Sequence, residues 1–352
     1  MSKKIPVIGM CPGDHAGIGP EIMAKTLAKT QENFIPVVVA NRSIFEASCK
    51  KHAPFIYEKY RFIYVDENYP VFDQTDALYL VDVAAGPDIH FGERTLDSGK
   101  LAVDSMCKAI ALRKAGKIDG LYVAPNTKEC VNMASPDIDS EFALYDREFD
   151  TGDICVSVIK RGPIFTARAT AHCALRTVLE QVTVDQMVRV GEDLIATMKK
   201  FGAEGKGIVF SGINKWTEED GFLGDEEEKI IVPAIKIMQE RYPDIPISGP
   251  YPPQFAALKQ IDENDGGGIG YLYHDQGSAI IKAWANREKG RKNIEEMSVV
   301  IYTHIPCRII SSGHGSALDI ADKGIADIRN TEYALHDLLT MVQYDLEHGI
   351  TC

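Results

Sequence analysis

A chain of 352 residues with a net charge of −13 is long enough for two domains with sizeable cores, and too acidic for nucleic acid to be its main partner. Hydrophobic content of 45% against 25% charged is ordinary for a soluble globular protein, and no run approaches the roughly 18 apolar residues of a membrane span. A local Lys/Arg pocket in such a chain still leaves room for an anionic small-molecule substrate. The eight cysteines (11, 49, 107, 130, 155, 173, 307 and 352) contain no Cys-x-x-Cys pair, and several sit in apolar runs, where they read as small buried hydrophobes. The stretch after the first two lysines is too short for a signal segment, so a reducing cytoplasm is the expected location.

Ile5–Met10 reads as a buried strand. It runs into Cys11-Pro-Gly-Asp-His-Ala-Gly-Ile-Gly-Pro20-Glu21 and then a helix to about Lys29, with Pro20 and Glu21 as start signals. Glycines 13, 17 and 19 let this turn pass close to a ligand, but their spacing is neither G-x-G-x-x-G nor a P-loop. Strands follow at Phe34–Ala40, Arg61–Val65 and Leu78–Val83, then a helix at Ser98–Lys114, then a strand at Gly120–Ala124 leading to Pro125-Asn-Thr-Lys128. This βα alternation predicts an α/β fold of mostly parallel sheets with helices on both faces, where ligands gather at the carboxyl ends of strands.

Residues 131–150 break the alternation. They suggest a crossing into a second α/β domain over about 131–304, with 1–130 and about 305–352 forming the first and the active site in the cleft between them. In the second half, strands are expected at Ile154–Lys160, Ile164–Ala171, Gly207–Ser211 and Gly266–Tyr273. Two of these end on histidine, His172 and His274, and rings at strand ends are candidates for a divalent ion. The acidic run Asp225-Glu-Glu-Glu228 reads as a solvated first turn matched to the helix dipole. Ser298–Ile310 reads as a buried strand broken by Pro306. After it, Ser316 is a candidate N-cap for a short helix over Ala317–Lys323, placing Asp319 where a carboxylate can accept hydrogen bonds from ribose hydroxyls.

His314-Gly315-Ser316-Ala317-Leu-Asp319-Ile-Ala-Asp-Lys-Gly324 resembles the adenosine-binding loop of the isopropylmalate/isocitrate dehydrogenase superfamily. In that superfamily the Asp marks NAD rather than NADP. Together with Gly13-Asp-His-Ala-Gly-Ile-Gly-Pro-Glu21, Ala171-His172, Leu175-Arg176 and Tyr273-His-Asp-Gln-Gly277, it resembles the 4-hydroxythreonine-4-phosphate dehydrogenase family in order over almost the whole chain. The resemblance implies two domains of the isopropylmalate-dehydrogenase type and a homodimer with a shared metal site. It also implies NAD-dependent oxidation of a secondary alcohol, followed by loss of a carboxylate. Relatives act on phosphorylated hydroxy acids or on cis-dihydrodiols of aromatic carboxylic acids.

The resemblance assigns His172 and His274 to a divalent metal, and Lys282, Asp275, His172 and His274 to the chemistry. It assigns His314, Gly315, Ser316, Ala317 and Asp319 to the cofactor. The family's third histidine falls on Trp216, which leaves zinc, magnesium and manganese all open, with Glu219 or Asp275 as replacement oxygen ligands. Its Gly-His-Thr-Glu substrate segment appears as Ile138-Asp139-Ser140-Glu141. The family's downstream Asn and Arg fall on Val300 and Ile309, with Arg308 adjacent. The expectation is therefore a substrate end built from Asp139, Ser140, Glu141, Lys282 and Arg308 that does not suit 4-hydroxythreonine 4-phosphate. The alternatives are a nucleotide-binding relative without catalysis, and a metal-dependent lyase or isomerase.

Overall fold

The computed structural model describes residues 4–138, 140–152, 156–170, 173–214, 223–264, 266–287 and 297–350. The chain forms two compact units, Met1–Cys155 with Val299–Cys352, and Val156–Ser298.

The first unit opens with β1 (Val7–Cys11), β2 (Ile35–Ala40), β3 (Arg61–Val65), β4 (Ala77–Asp82) and β5 (Gly120–Val123). They pair in parallel in the order β3-β4-β2-β1-β5. All of β1, β2 and β5 is buried, as near-continuous apolar strands covered on both faces must be. The helix Leu96–Lys114 starts where Thr95 accepts a hydrogen bond from the Ser98 amide, and it buries Met106 and Ile110 against the sheet. The segment after 131 also belongs to this core. Helix Glu141–Phe149 buries Leu144 and Tyr145 there, and the Tyr145 ring meets Tyr302 edge-on at 4.7 Å.

The second unit holds β6 (Val156–Arg161), β7 (Ile164–Arg168), β8 (Ile208–Ser211), β9 (Ile247–Tyr251) and β10 (Gly267–Tyr271). Their order is β6-β7-β10-β8-β9, parallel except for the β6–β7 hairpin. One face buries Met187, Leu194 and Met198 of the helix Val184–Lys199. The other buries Ala256, Ala257 and Ile281 from the helices Pro253–Leu258 and His274–Arg287. Each fully buried Leu or Met contributes about 1.5–3 kcal/mol by leaving water.

The chain then returns with β11 (Ser298–Thr303) and β12 (Arg308–Ser312). The sequence suggests one strand broken at Pro306; the structure makes an antiparallel pair, with β12 also parallel to β5. Proline cannot continue the ladder, and His304 at φ +60 turns the chain back before it. Of the thiols, Cys11, Cys49, Cys130 and Cys307 are buried, while Cys173 is exposed. Burial pushes the Cys49 thiol up to about 12. No helix among the described residues is long and apolar enough to cross a membrane.

Candidate active site

In the first unit the carboxyl end of β1 meets the loop after β12. Gly13 adopts φ +66, and a side chain there would strike the carbonyls of Ala124 and Pro125. Gly17 lies against Ser316, where an added Cβ would stand 2.7 Å from the Ser316 carbonyl. The Ile18 amide donates to that carbonyl at 3.0 Å, and the Ser316 hydroxyl bonds the Thr127 hydroxyl at 2.7 Å. With both its oxygens engaged this way, Ser316 does not cap a helix. Ala317 is left-handed, and only a short 3₁₀ turn, Leu318–Ile320, follows. The expected helix over 317–323 is thus replaced by an open loop.

The far side of this loop is pinned as firmly. Asp322, itself left-handed at φ +57, meets Lys51 at 2.5 Å and His52 at 2.7 Å. Partial burial would raise the Asp322 carboxyl, but the hydrogen bonds from Lys51 and His52 outweigh it and hold it below the usual range. Glu21, fully buried in the first helical turn, accepts from the amides of Gly324 and Ala326 at 3.0 and 2.9 Å and pairs with Lys25 at 2.5 Å. Between these anchors Gly313, Gly315 and the Asp319 side chain remain exposed, and open space surrounds the Gly315 α-carbon. A flat nucleoside fits such a surface, with a carboxylate free to accept its ribose hydroxyls. His314 bonds its own neighbour's carbonyl through Nδ1 at 3.0 Å.

Two motif residues here are structural. His15 is fully buried, donating through Nδ1 to the Gly13 carbonyl and accepting at Nε2 from the Asn41 amide. Burial lowers its pKa to about 4, so it stays neutral. Asp14 is buried too, and desolvation raises its carboxyl above the ordinary value against the lowering effects of Thr127, the Ala16 amide and Arg94.

On the substrate side, Ser140 caps the helix Glu141–Phe149 by accepting from the Ala143 amide at 3.3 Å. Glu141 accepts from the Asn126 side chain at 3.3 Å. The structure thus joins 140–141 to the loop after β12 through Asn126 and Thr127, to which sequence reasoning gave no role. Their position directly after β5 was the available signal. Arg308 does not join them. It opens β12 opposite Gly120, at the amino end of the strand, and its guanidinium is held by Asp345 at 2.5 Å. Asp139 lies outside the described residues.

In the second unit, β10 runs through Leu272 and Tyr273 into the helix His274–Arg287. The residues from His274 to Gly277 each have contacts that their chemistry explains. The Gln276 side chain accepts from the Leu272 amide at 2.9 Å and donates to the Gly212 carbonyl at 2.7 Å, tying the helix to β8 and β10. Gly277 lets the Tyr271 ring lie flat against the helix, 2.4 Å from where a Cβ would be. His274 bonds the Asp275 carboxylate through Nδ1 at 2.7 Å and Ser278 through Nε2 at 3.3 Å. A carboxylate on Nδ1 is the arrangement that orients an imidazole for metal ligation through Nε2. The ring borders a hollow of about 380 Å³ together with Cys173, Leu175 and Tyr273.

Lys282 lies in the same helix, but its side chain, like His172, Trp216 and Glu219, lies outside the described residues. Among the described residues no three His, Cys, Asp or Glu side chains form a metal-holding group. The acidic run at 225–228 is only partly solvated. Glu227 turns inward and accepts from the amides of Ile213 and Asn214 at 2.7 Å each, fixing the loop that leads toward Trp216.

A mostly parallel α/β chain with a pinned, partly exposed loop at strand carboxyl ends and an oriented histidine opening a helix defines the class. The chain belongs to the family described as pyridoxal phosphate biosynthetic protein PdxA, whose pattern matches residues 32–337. It is 27% identical to a 4-hydroxythreonine-4-phosphate dehydrogenase from Pseudoalteromonas translucida, over 96% of this chain and 97% of that one. It is 29% identical to a D-threonate 4-phosphate dehydrogenase from Cupriavidus necator, over 95% and 97%. The solved structure of a 4-hydroxythreonine-4-phosphate dehydrogenase from Burkholderia phymatum is 26% identical and covers 96% of this chain and 98% of its own, with a TM-score of 0.74.

Proposed function

We infer that the chain is an NAD-dependent oxidoreductase acting on a CH–OH group of a small hydroxy acid. The observation that carries this is the loop 313–326. Its flanks are fixed by Ser316, Asp322 and Glu21, while Asp319 is left free to receive the vicinal hydroxyls of a ribose. Membership in a family whose relatives are named as dehydrogenases supports the same reading. A metal-dependent lyase or isomerase would have no use for a preset cofactor loop.

His274, oriented by Asp275, and His172 are the residues we assign to a divalent cation, which would stabilise negative charge on the reacting oxygen when bound. Oxidation needs a hydride to leave carbon and a proton to leave oxygen; Lys282, eight residues after His274 in the same helix, is assigned the charge or proton at that oxygen. A hydroxyl beta to a carboxylate would give a beta-keto acid, so decarboxylation can follow. We further assign the protein a homodimeric assembly. Ser140 and Glu141, placed by Asn126 and the helix cap, are the substrate-facing positions of the first unit, together with Asp139. With the Asp139 carboxylate where the resemblance leads one to expect an imidazole, the preferred substrate differs from 4-hydroxythreonine 4-phosphate.

The test is formation of NADH across a panel of 4-hydroxythreonine 4-phosphate, D-threonate 4-phosphate, unphosphorylated hydroxy acids and carboxylated dihydrodiols. Turnover of any of the other compounds above 4-hydroxythreonine 4-phosphate supports the reading. No NADH from any compound, with NAD bound, supports the non-catalytic alternative.

A further inference from the structure

Strand β7 ends on Arg168, which has no carboxylate partner among the described residues. The β7–β10 pairing sets Arg168 beside Tyr271. The antiparallel pairing of Ile159 with Thr166, carried two residues along each strand, sets Ser157 opposite Arg168. Side chains alternate along strands, so all three leave the sheet on the face that buries Ile164, Ile269 and Ile281. That is the face under the helix His274–Arg287, whose Gly277 rests on the Tyr271 ring.

Each member carries an unmet polar group. Tyr271 is 1% exposed and Ser157 6%, and neither hydroxyl finds a hydrogen-bond partner among the described residues. The Arg168 guanidinium is largely desolvated, which pulls its pKa below the ordinary value, and no carboxylate among the described residues pairs with it. An apolar side chain of similar volume would fill the space without that desolvation cost. A buried donor without an acceptor is costly, and a bound anion would relieve that cost. The cluster also lies at the carboxyl ends of β7 and β10, where parallel sheets collect ligands, and Tyr271 stands three residues before His274.

We propose that Ser157, Arg168 and Tyr271 form an oxyanion subsite that takes the acidic group of the substrate. The guanidinium fork offers two parallel N–H donors to two oxygens of a carboxylate or phosphate, and each hydroxyl can donate one more. The subsite rests on the dehydrogenase reading only in naming the anion as part of the substrate.

Calorimetric titration of the full chain with inorganic phosphate and, separately, with malonate tests it at low ionic strength. The unaltered protein should bind one of the two. Arg168→Met should weaken that binding roughly 10- to 100-fold, and Tyr271→Phe about threefold to tenfold, while NAD affinity stays unchanged in both. Preference for phosphate points to a phosphorylated substrate, and preference for malonate to a free carboxylate. If Arg168→Met fails to fold, Tyr271→Phe and Ser157→Ala carry the same comparison. Equal anion binding by the variants, or none by the unaltered protein, overturns the proposal. So does an Arg168→Met chain that dissociates to monomers with anion affinity unchanged, since the guanidinium would then serve an interface. Loss of anion binding in the variants of a protein that oxidises nothing would leave the subsite standing and fail the dehydrogenase reading instead.

Discussion

The Glu21 carboxylate holds the Gly324 amide at 3.0 Å across 303 residues of sequence. It is buried, ion-paired to Lys25, and bonded to Ala326 as well. It therefore couples the first helix to the loop that presents Asp319. Removing Glu21 from such a buried pair leaves Lys25 without its counter-charge and two amides without their acceptor, at a cost of about 3–5 kcal/mol. Glu21→Ala should lower the urea unfolding free energy by that amount. Glu21→Gln, which keeps an acceptor but loses the charge, should cost less and should raise the KM for NAD with kcat at saturating cofactor retained. A Glu21→Ala chain as stable as the original would show that the pairing does not anchor the loop.

His15 makes stability fall with acid. Its pKa is lowered by burial from the ordinary 6.5 to about 4, so the unfolded chain binds the proton more tightly than the folded one. The stabilisation from a neutral buried ring is complete above pH 6.5 and is lost as pH falls toward about 4. The size is about 3 kcal/mol, to order of magnitude. Unfolding midpoints at pH 7 and pH 5 should differ in the original chain, and the difference should shrink in His15→Asn. An unchanged pH dependence in the variant would remove His15 as the cause.

Trp216 stands where the family resemblance would put a third histidine. An indole N–H is a donor only and cannot ligate a cation. With the family's third histidine absent, purified protein should carry little zinc. Because losing even a supporting partner of a metal ligand costs about 10- to 100-fold in affinity, Trp216→His should raise zinc affinity by about tenfold or more. Elemental analysis before and after chelator dialysis measures this. One tightly held zinc per unaltered chain would contradict it.

Much of this molecule was legible in the sequence because local chemistry and tertiary position agree there. Buried strands β1, β2 and β5 are apolar runs, Thr95 and Thr183 cap helices through their own side chains, and within Tyr273-His-Asp-Gln-Gly277 the residues His274, Asp275 and Gln276 have fixed partners. What stayed hidden depended on distant residues. Ser316 looks like an N-cap until Thr127 takes its hydroxyl. Glu227 looks solvated until the amides of 213 and 214 reach it. Arg308 looks available for substrate until Asp345, 37 residues on, closes over it. Arg168 gave no signal at all, since its meaning lies in the hydroxyls of Ser157 and Tyr271 on neighbouring strands.

Cofactor choice tests the central claim most directly. A 2′-phosphate beside the Asp319 carboxylate would meet like charge, and even at an exposed position this should cost about tenfold in affinity or more. Calorimetric titration of NAD and NADP into the original chain and Asp319→Asn is the measurement. The account predicts tighter NAD binding by the original chain and a discrimination that narrows in the variant. Equal or tighter binding of NADP by the original chain would contradict it.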